Sequence, residues 1–126
     1  MPKIIINTDE APEPIGPYSQ SVLANDTLYV SGQIALDPET NELVTNNIEL
    51  ETEQVMKNMG KILTAAGFSF TNIVKCSIFV KDMGNFAKIN EVYGKFFDEA
   101  PPARETVEVS KLPKDVNVEI SCIAVK

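Results

Sequence analysis

Apolar residues recur every three or four positions in two stretches of the chain, which is typical of helices with one buried face. The first stretch predicts a helix from Ile48 to Ala66, and Gly67 is a suitable stop signal. The second predicts a helix from Asn85 to Asp98, before Pro101 and Pro102. Its apolar stripe is expected to be core and comprises Phe86, Ile89, Tyr93, Phe96 and Phe97.

Elsewhere apolar and polar residues alternate, which indicates strands. Between Ile73 and Lys81 the alternation predicts one face made of Val74, Cys76, Ile78 and Val80. Asn25-Asp26 is a suitable turn between two further strands. The remaining strands are predicted at Lys3–Ile6, Tyr18–Ala24, Thr27–Gly32, Glu105–Val109 and Val116–Val125.

The order of these elements is β-β-β-α-β-α-β-β, which indicates an α+β fold. One mixed sheet with both helices on one face is the simplest way to bury both apolar stripes. The 126 residues suit a single domain, residues 1–126, with one core.

The last predicted strand has two apolar faces. One face is expected to be core and consists of Val116, Val118, Ile120, Cys122 and Ala124. The other carries Ile123 and Val125 beside Glu119, although both helices already cover the first face. A second subunit is therefore expected to cover it, with Glu119 near the contact.

Composition narrows the function classes. The formal charge of −7 repels phosphate backbones and anionic lipid, so nucleic acid is disfavoured as a partner. The chain has no histidine, which removes the commonest general base and metal ligand. Cys76 and Cys122 are expected to be buried, reduced thiols. No stretch suits a membrane span or a signal peptide, so a cytoplasmic location is expected.

The candidate chemistry lies in the last quarter of the chain. Arg104 opens one predicted strand, and its planar guanidinium fits a carboxylate with two parallel hydrogen bonds. Glu119 lies within the next strand, where it could orient or deprotonate a water. The charge pattern alone favours a structural ion pair for Arg104, with Glu105, Glu108 or Glu119.

Four motifs occur together in this chain. They are Ile15-Gly16-Pro17-Tyr18-Ser19-Gln20, Val30-Ser31-Gly32-Gln33-Ile34, Asn90, and Pro102-Ala103-Arg104 with Val107, Leu112-Pro113 and Val118-Glu119-Ile120. In this order and at these separations they resemble the RidA (YjgF) family of reactive-intermediate deaminases. The resemblance covers nearly the whole chain.

The resemblance implies a chorismate-mutase-like fold and a homotrimer with sites between subunits. It implies hydrolysis of 2-imino acids, or their enamine tautomers, to 2-oxo acids and ammonia. Arg104 would bind the substrate carboxylate, and Glu119 would handle the attacking water. The implied substrate-binding set also includes Tyr18, Ser31, Gly32, Asn90 and Thr106, the last in place of a cysteine that many members carry.

A protonated imine is already a strong electrophile, so we expect no cofactor and no metal. Two alternatives stay open from the sequence. Some family members are described as endoribonucleases that inhibit translation, although the acidic charge and the lack of histidine oppose that function here. A non-catalytic binder of small carboxylic acids, or a chaperone-like protein, would keep the Arg104 pocket without turnover.

Overall fold

A computed structural model describes residues 2–126. Six strands form one mixed sheet in the order β1-β2-β3-β6-β4-β5, in which only the β4–β5 pair is parallel. The strands are β1 Ile4–Ile6, β2 Ser21–Ala24, β3 Thr27–Gln33, β4 Ile73–Val80, β5 Ala103–Glu108 and β6 Val118–Val125. The helices are α1 Ile48–Ala65 and α2 Phe86–Gly94. The predicted α+β, chorismate-mutase-like order is confirmed.

Both helices lie on one face of the sheet, as the sequence predicts. The alternate β6 residues Val118, Ile120, Cys122 and Ala124 are buried in the same cluster as the apolar stripe of α1. Asn47 caps α1, because its side chain accepts a hydrogen bond from the Leu50 amide at 2.8 Å. Among residues 2–126 no helix combines the length and the hydrophobicity needed to cross a bilayer.

The second face of the sheet stays largely exposed and is partly apolar. Tyr29 and Ile123 are register partners on this face, and Tyr29 is 50% exposed. Val107 and Val125 are 44% and 41% exposed. The predicted apolar second face is therefore confirmed, and no element among residues 2–126 covers it.

The prediction for Val74 was wrong. The register of β4 against β6 shifts between Ile73 and Lys75, so the strand contains one extra residue there. This bulge turns Ile73 into the core at 5% exposure and leaves Val74 49% exposed. The other predicted core residues of β4 are buried as expected.

Helix α2 ends four residues earlier than predicted, at Gly94 instead of Asp98. Beyond it the chain tightens into a turn, in which the amides of Phe96 and Phe97 bond to carbonyls three residues back. The two rings still pack against the core, with centroids 5.3 and 5.8 Å from that of Phe70. The apolar stripe therefore continues past the helix.

Cys76 and Cys122 are register partners on β4 and β6, and both are buried free thiols, as predicted. Burial raises the pKa of both thiols above the ordinary value. They therefore stay protonated at neutral pH and belong to the core.

Candidate active site

Arg104 lies near the start of β5 and leaves the sheet on the helix side, because its register partner on β4 is the buried Cys76. Its Nη1 donates a hydrogen bond to Asn90 Oδ1 on α2 at 2.7 Å. Its guanidinium carbon lies 5.6 Å from the ring centre of Phe86 and 5.2 Å from that of Tyr93. Arg104 and Asn90 are thus brought together, as the sequence resemblance implied.

Arg104 is the only arginine in the chain. Within residues 2–126, no carboxylate oxygen lies within 4.0 Å of its guanidinium. Of the partners that charge pattern suggested, Glu105 binds the Lys75 ammonium at 2.9 Å and accepts from the Ser77 hydroxyl. Those two contacts, Ser77 first, lower the pKa of Glu105. Glu108 accepts from the Met83 amide at 2.8 Å.

The prediction from charge pattern that Arg104 forms a structural ion pair is therefore wrong. Asn90 uses one of the five N–H donors of the guanidinium, so the others can bind an anion in a parallel, two-bond arrangement. A partly buried cation without an acid partner indicates a binding site for an acidic ligand.

Thr106 follows on the same side of β5, in register with the buried Ile78. Its hydroxyl oxygen is buried and has no hydrogen-bond partner among the described residues. The hydroxyl of Tyr93 is buried and lies beside the Cys76 thiol, a weak acceptor at best. Burial raises the Tyr93 pKa further above its ordinary value, so this phenol stays neutral.

A second group of predicted residues meets on the other face of the sheet. Around an open pocket of about 320 Å³ lie Ile15, Tyr18, Ser31, Gly32, Ile34, Pro113 and Glu119. Glu119 is partly buried, and this desolvation raises the pKa of its carboxyl above the ordinary value. A base with a raised pKa is better matched to proton transfer near neutral pH.

The backbone at Gly32 makes room for Glu119. A Cβ atom at Gly32 would lie 2.8 Å from Cδ of Glu119 and would overlap its carboxylate. A larger residue at position 32 would therefore displace the Glu119 carboxylate from this position.

The loop before β2 supplies Tyr18, whose hydroxyl accepts a hydrogen bond from the Ile15 amide at 3.3 Å. The Ser31 hydroxyl donates to the Ser19 carbonyl at 2.5 Å, so only its lone pairs remain for a ligand. The buried Gln20 holds the preceding chain, with its amide nitrogen 2.8 Å from the Pro12 carbonyl.

Glu51 fixes the start of the strand that carries Glu119. It is fully buried on α1 and accepts hydrogen bonds from the Asn117 amide at 2.8 Å, the Asn117 side chain at 2.7 Å and the Val118 amide at 3.2 Å. These bonds fix the start of β6 immediately before Glu119. The sequence pointed to Gln20 only as part of a motif and not at all to Glu51, because a polar residue in a loop or a helix carries no sign of burial.

The two groups lie on opposite faces of the sheet. Arg104, Cys76 and Cys122 form one row of register partners on the helix side. Val107, Phe79 and Glu119 form another row, three positions along β4 from the first. Side chains of register partners point to the same side of the sheet, and successive side chains along a strand alternate between the two sides. Because the two rows are an odd number of positions apart along β4, Glu119 lies on the opposite side of the sheet from Arg104. One chain therefore cannot bring both side chains into one pocket.

Phe86 differs from the sequence expectation, which assigned both Phe86 and Tyr93 to the core. Tyr93 is buried, but Phe86 is 36% exposed and lies outside the main apolar cluster. Their positions four residues before and three after Asn90 on one helix could have linked them to the site. Among residues 2–126, no group of three or more metal-ligating side chains could hold a metal ion.

Comparison with known proteins identifies the family of this chain. Residues 8–126 match the family described as endoribonuclease L-PSP. A RutC family protein of Pyrococcus horikoshii is 51% identical over 124 residues, which cover 98% of each chain. A human protein named 2-iminobutanoate/2-iminopropanoate deaminase is 44% identical and matches 97% of this chain and 89% of its own.

The fold recurs in the crystal structure of Escherichia coli TdcF with bound serine. That structure has a TM-score of 0.94 and 41% sequence identity, and the match covers 98% of both chains. Relatives of this identity over nearly the whole length establish common descent as well as a common fold. The chain therefore belongs to the endoribonuclease L-PSP family, which is the RidA (YjgF) family that its motifs resemble.

Proposed function

We propose that this protein hydrolyses short 2-imino acids, or their enamine tautomers, to 2-oxo acids and ammonia. The observation that carries the proposal is the guanidinium of Arg104, which is partly buried on two rings without a carboxylate partner among residues 2–126. The human relative that bears the name of such a deaminase supports the same activity.

In the proposed reaction, Arg104 holds the carboxylate of the 2-imino acid with two parallel N–H···O bonds. Glu119 orients a water and accepts its proton as the water oxygen bonds to C2 of the protonated imine. The nitrogen of this carbinolamine then takes the proton back from Glu119 and leaves as ammonia as the C2–N bond breaks, and Glu119 accepts the hydroxyl proton so that the C2 carbonyl of the 2-oxo acid forms. Positioning and electrostatics can accelerate this step without a covalent intermediate.

We further propose a homotrimer in which each site lies between two subunits. One subunit would supply Arg104, Asn90 and Thr106, and its neighbour would supply Glu119 with the pocket lined by Tyr18. The placement of the two groups on opposite faces of the sheet in one chain supports this proposal. The exposed apolar second face gives the subunits a surface to bury.

Arg104→Lys is expected to lose about tenfold to a hundredfold in rate, which corresponds to one lost charge-assisted hydrogen bond. Lysine keeps the charge but cannot form the two-bond fork. A pyridoxal-phosphate dehydratase acting on threonine generates the imine, and release of 2-oxobutanoate is timed with each variant added. Lys88→Arg on the exposed side of α2 is the control. A rate equal to that of the parent in Arg104→Lys would contradict the proposal that Arg104 binds the substrate carboxylate through two hydrogen bonds.

Gly32→Ala is expected to lower the same rate by about tenfold to a hundredfold, because misplacing a catalytic group by an ångström has an effect of this size. The new methyl group would displace the Glu119 carboxylate. Gly94→Ala is the matched control, since a Cβ there meets no atom within 4 Å. A folded Gly32→Ala variant with parental activity would show that the position of Glu119 is not critical.

The family description also names a ribonuclease, so RNA cleavage is a second candidate. An RNA site on a chain of net charge −7 would depend on a local cluster of cations. RNA affinity measured against salt concentration distinguishes the two functions. A steep loss with added salt would favour RNA binding, and no measurable binding at low salt would remove this candidate.

A further inference from the structure

We propose that Phe86 and Tyr93 are positioning residues, whose rings hold the Arg104 guanidinium in the orientation that receives a carboxylate. This inference rests on the proposed function, because it concerns the same grip on the substrate. It assigns a role to two aromatic residues that the sequence pattern places in the core.

The geometry of α2 presents three groups to one guanidinium. Phe86, Asn90 and Tyr93 are four and three residues apart, so they share one face of the helix. The ring centres lie 5.6 and 5.2 Å from the guanidinium carbon, within the range of about 6 Å in which a cation is attracted to a ring. Asn90 fixes one edge through the 2.7 Å bond to Nη1.

The exposure of Phe86 argues against a purely structural role. Its side chain is 36% exposed, and it is not among the residues of the two apolar clusters or those packed on them. A phenylalanine in that position gains little from burial, whereas its contact with Arg104 gives the ring a specific partner. For Tyr93 the ring is again the relevant group, because its buried hydroxyl lacks a good acceptor among the described residues.

The rings would act before the ligand arrives. A free arginine side chain samples many rotamers, and a ligand that must order it loses affinity. Ring faces also replace part of the water shell of the guanidinium, which strengthens its hydrogen bonds to an anion. The expected consequence is tighter binding of any short 2-oxo or 2-imino acid, with little change in the rate once the site is filled.

The test measures the dissociation constant of 2-oxobutanoate by calorimetry in a double-mutant cycle. Phe86→Leu is expected to weaken binding by about threefold to tenfold, the size of a partly desolvated cation–π contact. In an Arg104→Ala background the same change is expected to have no further effect. Phe96→Leu is the matched control, because its ring packs on Phe70 and not on Arg104. Tyr93→Phe is expected to bind as the parent, and Tyr93→Leu to weaken binding.

The outcomes separate the two proposals. Parental affinity in Phe86→Leu and Tyr93→Leu, with weak binding by Arg104→Ala, would overturn the positioning role and leave the carboxylate grip intact. Equal weakening by Phe86→Leu in both backgrounds would also overturn it, because the ring would then contact the ligand itself. Parental affinity in Arg104→Ala would instead refute the carboxylate grip.

Discussion

Glu119→Gln is expected to lose most imine hydrolysis, by about a hundredfold to ten-thousandfold, the usual contribution of a general base. Glutamine keeps the shape of the side chain and one acceptor oxygen, so it can still touch a water but cannot take its proton. Release of 2-oxobutanoate in the coupled dehydratase assay measures the loss. A thermal melt checks that the variant is folded.

Thr106→Ala and Thr106→Cys are the controls for this experiment. The chain has no histidine that could activate a hydroxyl, so Thr106 is not expected to be a nucleophile. Its hydroxyl has no partner among residues 2–126, so removing it leaves no described group unpaired. Both variants should stay active through their main-chain groups. An inactive but folded Thr106→Ala variant beside a fully active Glu119→Gln variant would reverse the two roles.

The raised pKa of Glu119 predicts that the Glu119→Gln variant and the parent differ in how their thermal stability depends on pH. Burial disfavours the charged carboxylate, so the folded protein holds this proton to higher pH than the unfolded chain does. The stability that Glu119 contributes is therefore complete below its ordinary pKa and is lost as pH rises through the raised value. Glu119→Gln avoids this loss and should melt at or above the parent temperature at pH 7. A clearly lower melting temperature would contradict the assigned burial effect.

The fold could be predicted from the sequence wherever one face of an element is uniformly apolar. The alternation along β6 identified its buried residues correctly, and the stripe of α1 identified its packing face. The prediction that Val74 is buried failed because a bulge reverses which residues of a strand face the core, without any change in composition that the sequence would show. The predicted end of α2 was wrong because the apolar residues Phe96 and Phe97 still pack against the core after the helical hydrogen bonds have ended.

The site was harder to predict than the fold. In β5 the polar residues do not all lie on the exposed face of the sheet. Arg104 and Thr106 point toward the helices, whereas the apolar Val107 lies on the opposite, exposed face. The pattern could not show on which face Arg104 lies, and hence that it is separated from Glu119. Its environment was also hidden, because an exposed phenylalanine and a buried one look the same in an apolar stripe.

Mixed assemblies of two inactive variants are expected to recover activity. Arg104→Ala subunits keep the Glu119 group intact, and Glu119→Gln subunits keep the Arg104 group intact. If each site takes one group from each neighbour, every trimer that contains both variants restores both groups in about one third of its sites, because a closed ring of mixed composition has one such junction. The two variants are co-expressed with different tags, mixed oligomers are purified through both tags, and 2-oxobutanoate release is compared with the parent.

The negative control combines Arg104→Ala with the double variant Arg104→Ala/Glu119→Gln, which cannot restore any site in any arrangement. Light scattering on the purified species is expected to give the proposed trimer, whereas the opposite-face placement of the two groups by itself requires only at least one neighbouring subunit. Recovery of about one third of the parent activity would favour a site shared between subunits over any site made by one chain. A trimer of proven mixed composition without recovery, or a monomer at micromolar concentration, would refute the shared site.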